Sequence, residues 1–425
     1  MSKLDAKLGL QATWSMAVGG MIGGGIFSTL GVVIEIAGAW AWVSFLVAGL
    51  IALATGYCYA ELAEHYEEGG GAYTYLRKVN AHGFAGSLAW ILIVGYVLTN
   101  AVYAFTFGQY LGHVMHLGPI FSRASAVGIM SLFIALNLRG VAEAGWVEIF
   151  LVWIKLVVLL GLAIWGIASW QPDLLARGTE DKGLGAAMFG AASVFMAYEG
   201  FQLLAYGYDD IENPNKNLRR AMLAAIAIVI VTYVLVAIGT AMLIGSDQVV
   251  QHKEVALSIA GEKALGTTGL IIVTIAAAFS TGSAINSTLF ATARLSLILA
   301  EAGDLPKSMS HRNDAGMPDR GVMILGVAAA LMAAVGNLEI LVKAASLAFL
   351  LTFAVVCGLA FDKRAGRRSI SGFGAVSASA AAVALVLKLA EEDPLALMIL
   401  GGLIVLALFG KPLVLYAMKK FGGGD

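Results

Sequence analysis

The sequence predicts an all-α integral membrane protein with twelve transmembrane helices, and three observations predict this class. Hydrophobic residues make up 59% of the 425 residues, and charged residues only 13%. Apolar stretches of roughly 20 residues recur along the chain, and each is long enough to cross about 30 Å of hydrocarbon as a helix. Glycines interrupt the first of these stretches. The predicted spans are 11–35, 37–62, 84–111, 122–138, 144–168, 186–207, 219–245, 265–300, 320–336, 339–361, 371–390 and 395–417.

Span one contains three consecutive glycines, Gly23, Gly24 and Gly25. Irregular backbone at membrane depth is tolerated only where it is buried in protein or lines a cavity. Close helix packing through small residues is the alternative interpretation, but three glycines in a row exceed what packing requires. A half-helix that starts here exposes free N–H groups and a positive dipole end. The backbone of Ile22, Gly23, Gly24, Gly25 and Ile26 is therefore predicted to hold a carboxylate.

Span six carries a second interruption, because Glu199 and Gly200 stand inside an apolar stretch. Two Gly-interrupted spans at corresponding places in two halves indicate an inverted-repeat transporter with a mid-membrane site. Carbonyl oxygens at the second break can accept hydrogen bonds from an ammonium group. We expect spans one to five (residues 1–170) and six to ten (185–362) to form the two repeats. Spans eleven and twelve (370–418) are left for packing or oligomer contacts.

The distribution of Lys and Arg predicts the orientation, since short cytoplasmic loops are enriched in them. With the N-terminus inside, seventeen of these residues fall in loops on the cytoplasmic side and six on the outer side. The sequence therefore predicts a multi-pass protein of the cell (inner) membrane with both termini cytoplasmic.

Lys155 stands near the middle of span five, too deep to reach either face easily. An ionisable group at this depth is expensive and is a functional hypothesis by default. Desolvation would bring such a lysine towards titration, which predicts a proton-accepting amine. The alternative is a permanently charged structural lysine. Glu199 also has open alternatives: it contacts a substrate amine, takes a proton, or merely caps the second half of span six.

Five segments, in this order and at this spacing, resemble the amino acid-polyamine-organocation superfamily of secondary transporters, and in particular its proton-coupled, sodium-independent amino acid permeases. They are VGGMIGGGIF (18–27), EGGGAYTYL (68–76), LNLRGV (136–141), AYEGF (197–201) with DIENPNKNLRRA (210–221), and SAIN (283–286) through Arg294 to GDLP (303–306). The resemblance implies a five-plus-five inverted-repeat fold with broken helices one and six and two extra C-terminal helices.

The resemblance also implies particular site residues. In such relatives a lysine of span five meets a carbonyl of the broken first span and a hydroxyl of span eight. Lys155, Gly19 and Ser283 are the matching positions, and Ser280 is a neighbouring candidate for the hydroxyl. The substrate would lie against the span-one amides and the span-six backbone at Phe195, Ala197 and Tyr198.

Together these interpretations predict a secondary active transporter for proton-coupled amino acid uptake by alternating access. An exchanger of polyamines or cationic amino acids is the alternative, because Glu199 could pair with a second ammonium group. A non-transporting amino acid sensor is a weaker alternative, since no soluble signalling domain is visible. An enzyme is not expected, because no catalytic residue set appears.

The expected partners are a small amino acid substrate and the lipid bilayer, with no nucleic acid. The chain is expected to be a monomer or a weak homo-oligomer. No cofactor or metal is predicted, and a proton is the expected coupling ion. His113 and His116 have a spacing that would suit a metal on a helix, but they lack a third ligand nearby.

Overall fold

The computed structural model describes residues 7–140, 145–179, 182–392 and 401–402. Regular structure in these ranges is helical, apart from a single bridge between Leu8 and Ile211. The α-helices are α1 (Leu10–Met21), α2 (Gly25–Ala37), α3 (Ala41–Tyr66), α4 (Gly71–Lys78), α5 (His82–Val114), α6 (Pro119–Leu138), α7 (Gly145–Ala168), α8 (Gly183–Ser193), α9 (Pro214–Ile244), α10 (Ser246–Gln251), α11 (Ala256–Glu301), α12 (Asp319–Val335), α13 (Leu338–Lys363) and α14 (Arg368–Glu392).

Eight helical stretches of the described chain are long and apolar enough to cross a membrane, or nine if a bent pair counts as one span. The all-helical membrane class predicted from composition is therefore confirmed. Each of the first eleven predicted spans coincides with a helix or with two half-helices. The twelfth, 395–417, lies outside the described residues except for 401–402.

The first span is interrupted where the glycines predicted it. Helix α1 ends at Met21 and α2 starts at Gly25, so Ile22, Gly23 and Gly24 lie between the two halves. Gly24 has to be glycine, because a Cβ at this position would lie 2.0 Å from a ring carbon of Tyr103. The Tyr103 ring packs directly against the backbone of Gly24, which explains the need for glycine at this position of the break.

The second interruption is longer. After α8, a 3₁₀ segment runs from Phe195 to Tyr198, Glu199 is extended, and another 3₁₀ segment runs from Phe201 to Asp210. The axis of α8 and the axis of the segment Phe195–Asp210 are bent by 56° relative to each other. Gly200 has φ 127°, a backbone conformation that side chains with a Cβ rarely adopt. The glycine thus permits the change of chain direction between the two 3₁₀ segments.

Two short helices lie in regions that the sequence did not assign to spans. Helix α4 is an amphipathic segment after α3, and α10 lies between α9 and α11. Helix α11 is also longer than predicted, with a kink at Leu265 and Gly266. The predicted start of span eight, residue 265, coincides with this kink.

Loops predicted to share a side of the membrane contact one another. We call the end that carries the loops α3–α5, α6–α7 and α11–α12 the basic face, and the other end the opposite face. Three hydrogen bonds join segments of the basic face: Leu8 N to Asp210 O (2.8 Å), Tyr73 Oη to Asp304 Oδ2 (2.7 Å) and Asn313 Nδ2 to Leu138 O (2.6 Å).

An ionic network ties elements together at the opposite face. Lys253 Nζ lies 2.7 Å from Glu35 Oε2 at the end of α2 and 3.7 Å from Glu339 Oε2 at the start of α13. Burial alone would lower the pKa of Lys253, but the hydrogen bond and charge of Glu35, with the charge of Glu339, outweigh burial and raise it. Lys182, beside α8, donates to the Glu35 carbonyl at 2.7 Å. Helix α2, which ends at the opposite face, and helix α8, which begins there, are thereby tied to each other and to neighbouring elements.

Candidate functional site

The break in the first span presents backbone donors in a buried place. No side chain caps the start of α2, and the first N–H groups of any helix have no partner within it. Gly25 and Ile26 occupy these positions and are buried. A Cβ on Gly23 would lie 2.1 Å from the Cβ of Ala284, so α11 closes one side of the break. The first N–H groups of α2 therefore lie in a buried and closely packed break.

The two breaks lie directly against each other. A Cβ on Gly20 would be 3.1 Å from the Cα of Gly200, and a Cβ on Gly25 would be 2.5 Å from the Ala197 carbonyl oxygen. A Cβ at Gly25 would clash with this carbonyl, and one at Gly20 would be in tight contact with Gly200. The structure therefore brings the break in span one and the break in span six into direct backbone contact, as the prediction of one shared site requires.

One tyrosine connects both breaks. Tyr233 Oη, on α9, lies 2.7 Å from the Met21 carbonyl oxygen and 3.0 Å from that of Ala197. A phenol has a single hydrogen, so the two carbonyls share one donor. Any change in the separation of the two half-helices must therefore disturb this hydroxyl.

Glu199 has a fully enclosed carboxylate, with 1% of the residue exposed. Tyr103 Oη donates to its Oε2 at 3.1 Å, and Gln202 Nε2 donates to its Oε1 at 3.2 Å. The side-chain oxygen of Gln202, Oε1, in turn accepts from the Gly200 N–H at 3.0 Å. No salt bridge in the described chain includes Glu199. The carboxylate is therefore held by neutral donors.

The aromatic side chains of the second break point to other helices. Tyr198 Oη donates to the Phe45 carbonyl on α3 at 2.7 Å, and the Phe195 ring packs against Phe353 on α13 at 5.6 Å. Of the predicted residues Phe195, Ala197 and Tyr198, it is Ala197 that contacts the first break, through its carbonyl oxygen. A substrate would meet the backbone of this segment rather than these two side chains.

The predicted coupling residues occupy three neighbouring helices. Lys155 lies on the buried side of α7 with 1% exposed. On α11, Ser280 Oγ donates to the Ile22 carbonyl at 2.6 Å, while Ser283 Oγ donates to Glu148 Oε2 at 3.0 Å. A Cβ on Gly19 would lie 1.7 Å from Glu148 Oε1. Gly19 and Ser283 thus meet through the carboxylate of Glu148, and the coupling role of these residues stays a prediction.

Sequence reasoning missed several polar residues of the site. Glu148 precedes Lys155 by seven residues, which places both on one side of a helix, and this spacing could have revealed it. Gln202 follows Glu199 by three residues and carried a similar local signal. Tyr103 and Tyr233 had no such signal, because helices distant along the chain bring them to the breaks.

A multi-pass helical protein with two discontinuous helices facing each other across a buried site has the architecture of a secondary transporter. The chain belongs to the amino acid permease family, which matches residues 8–413. This confirms the superfamily resemblance. The chain is a multi-pass membrane transporter of that family, not an enzyme.

Three relatives illustrate the similarity. An uncharacterised protein of Methanocaldococcus jannaschii is 32% identical over 87% of this chain and 86% of its own length. The inner membrane transport protein YbaT of Escherichia coli is 30% identical over 85% of this chain and 84% of its own length. The serine/threonine exchanger SteT of Bacillus subtilis is 26% identical, covering 72% of each chain.

Proposed function

We propose that this protein takes up amino acids into the cell in symport with protons. The observation that carries the proposal is the backbone contact between the two broken helices. One break offers N–H donors and the other offers carbonyl acceptors, so a zwitterionic α-amino acid would satisfy both ends at once. Membership of the amino acid permease family supports an amino acid as the substrate.

The proton is assigned to Lys155. It is a buried amine on α7, the helix packed against α1 and α11. A charged amine in this position attracts the carbonyl oxygens at the end of α1, whereas a neutral amine does so weakly. Protonation therefore biases the half-helix towards one arrangement, and a ligand shifts such an equilibrium only through its differential affinity for the two states. Release of the proton inside would loosen α1 and free the substrate.

The topology completes the proposal. Twelve crossings, arranged as repeats 1–170 and 185–362 with an extra pair at 370–418, put the basic face and both termini in the cytoplasm. The excess of Lys and Arg on the basic face supports this orientation. The name of YbaT, an inner membrane transport protein, supports the inner membrane as the location.

Uptake by proteoliposomes tests the function directly. Labelled amino acids and putrescine are offered with and without an inward proton gradient, to the wild type, Lys155→Met and Lys155→Ala. We expect gradient-driven accumulation of at least one amino acid by the wild type and its loss, by tenfold or more, in both variants. Lys155→Met keeps most of the side-chain volume, so its folding is the better preserved of the two.

The control is Lys263→Met, which changes an exposed lysine on α11 at the opposite face. It should transport as the wild type does. Accumulation that ignores the gradient in the wild type, or that persists in Lys155→Met, would contradict the proposal.

Exchange of cationic substrates is the second candidate, and Glu199 is the observation that favours it. A carboxylate buried among neutral donors would be balanced by a second ammonium group on a substrate such as a polyamine or a cationic amino acid. A relative named as an exchanger, SteT, supports exchange as the mode of transport. Strong competition by putrescine, with stimulation by internal substrate and none by the gradient, would favour this candidate.

A further inference from the structure

Helix α7 carries two ionisable side chains, Glu148 and Lys155, and the rest of the helix is apolar or glycine. Seven residues separate them, so they lie on one side of the helix, about 10 Å apart along its axis. Val152, between them on the same side, is 0% exposed. Glu148 is only half-buried, whereas Lys155 is enclosed. The acid therefore lies between the amine and the water of the basic face, where α7 begins.

The contacts among α1, α7 and α11 fall in two layers, one nearer the basic face than the other. Helix α1 runs away from the basic face, so Gly19 is nearer that face than Ile22. Helix α11 runs towards it, so Ser283 is nearer than Ser280. The inner pair, Ser280 and Ile22, is joined at 2.6 Å. The layer closer to the basic face consists of Gly19, Ser283 and Glu148, joined by the contacts described above.

Few other charges face Glu148. Helix α7 packs against α1, α9 and α11. Helix α1 has no ionisable side chain, and the nearest ones on the other two helices are Arg219 and Arg220 at the start of α9 and Arg294 on α11, eleven residues beyond Ser283. Glu148 is the one carboxylate on α7, and it lies on the side of Lys155 that is nearer the basic face.

We propose that Glu148 is the proton acceptor that connects Lys155 with the basic face. The inference rests on the proposed proton coupling. An N–H bond breaks at Lys155 Nζ, and an O–H bond forms at Glu148, with hydroxyl groups or water carrying the proton along the helix rise of about 10 Å between the two residues. Ser283 donates a hydrogen bond to Glu148 Oε2 and so holds the carboxylate in position. The carboxylic acid then releases the proton to water at the basic face, and the neutral amine remains.

The experiment separates a proton acceptor from a structural contact. Proteoliposomes with Glu148→Gln, Glu148→Asp, Ser283→Ala and Glu262→Gln are compared in gradient-driven uptake and in substrate exchange without a gradient. We expect Glu148→Gln to keep exchange within about twofold of the wild type and to lose gradient-driven accumulation by tenfold or more. Glu148→Asp should restore accumulation with an altered pH profile. Ser283→Ala should retain it, and Glu262→Gln, at the exposed opposite end of α11, should match the wild type.

Three results would overturn the inference. Undiminished accumulation by Glu148→Gln would remove the carboxylate from the proton path. A parallel loss of exchange in Glu148→Gln and Ser283→Ala would mean that Glu148 only holds the helices together. A wild type that ignores the gradient would refute proton coupling itself, and with it this step, whereas the first two results leave coupling through Lys155 intact.

A chemical measurement on the unmutated protein avoids dependence on variant folding. Dicyclohexylcarbodiimide reacts with protonated carboxyl groups in apolar surroundings. Mass spectrometry should find Glu148 labelled, to an extent that parallels the loss of gradient-driven uptake. Complete inhibition with Glu148 unlabelled would contradict the proposed acceptor.

Discussion

The two helix breaks differ in how they are built. The first is short, with Ile22, Gly23 and Gly24 between α1 and α2, and no side chain caps the half-helix that follows. The second extends over two 3₁₀ segments and holds a buried carboxylate, Glu199, with its own hydrogen-bond partners. The first break therefore consists of backbone that has no side-chain cap at the start of α2. The second break has side-chain hydrogen bonds, made by Glu199, Tyr103 and Gln202.

This difference indicates a division of tasks. Under the proposed function, the bare backbone of the first break would recognise the carboxylate, a group that every α-amino acid has. The second break combines carbonyl acceptors with the Glu199 side chain, and under the same proposal this side chain would select among substrates. Substitutions in the first break should therefore affect all substrates alike, and substitutions in the second should affect them unequally.

The largest effect is expected for Gly25→Ala. Its Cβ would lie 2.5 Å from the Ala197 carbonyl oxygen and 2.4 Å from Tyr233 Oη, so both the Ala197 backbone and the Tyr233 side chain would have to move. Overpacking of this kind costs about 1–3 kcal/mol, and uptake of every substrate should fall below detection. Thermal unfolding in detergent and the uptake panel measure the two consequences.

Gly161→Ala is the matched control, because nothing lies within 4 Å of a Cβ at that position of α7. It should be neutral or slightly stabilising, since alanine favours helix over glycine by about 1 kcal/mol. Equal tolerance of both substitutions would show that the first break does not need bare backbone.

Glu199→Gln should have the second largest effect, and a selective one. The amide keeps the shape of the side chain and loses its charge. Uptake of a substrate with a second ammonium group should fall by about 10- to 100-fold, the equivalent of one charged hydrogen bond of about 1.5–3 kcal/mol. Neutral amino acids should change by only a few fold. An equal loss for both classes would assign Glu199 to structure and remove the proposed division of tasks.

Tyr233→Phe should have the smallest effect on stability. It removes one hydrogen shared by two carbonyls, and a hydrogen bond within a membrane is worth roughly 1 kcal/mol or less. Transport should suffer more than stability, with the KM raised several fold, because this hydroxyl joins the two breaks.

Tyr198→Phe provides the comparison for Tyr233→Phe, since its hydroxyl bonds the Phe45 carbonyl away from the first break. A similar thermal shift with little change in KM is expected. If the two variants alter KM equally, the bridge at Tyr233 has no special part in joining the half-helices.

Local pattern was sufficient to predict much of the fold. Hydrophobic length predicted where the first eleven spans lie, because crossing the bilayer is a requirement on consecutive residues. Three consecutive glycines predicted the first interruption, and Glu199 with Gly200 predicted the second, because both stand out from apolar neighbours in the chain. The helices α4 and α10 were not predicted, since they are too short to leave a membrane-span signal and are stabilised by packing against neighbours.

The candidate site divides in the same way. Gly23 to Gly25 and Glu199 were visible in the sequence, because each contradicts its apolar surroundings. Tyr103 and Tyr233 resemble any other aromatic residue of a membrane helix until the helices are assembled. Glu148 stood close enough to Lys155 to be recognised from its spacing, yet nothing in the sequence indicated that Gly19 and Ser283 would meet it.

The sequence by itself therefore determined the membrane class, the broken helices and the buried charges, which all depend on residues close together in the chain. Only the tertiary structure decided which hydroxyl bonds which carbonyl. Ser280 reaches Ile22 across 258 residues, and Tyr233 reaches Met21 across 212. Such pairs depend on how helices pack and rotate against one another, and packing is decided by the whole set of contacts rather than by any one segment.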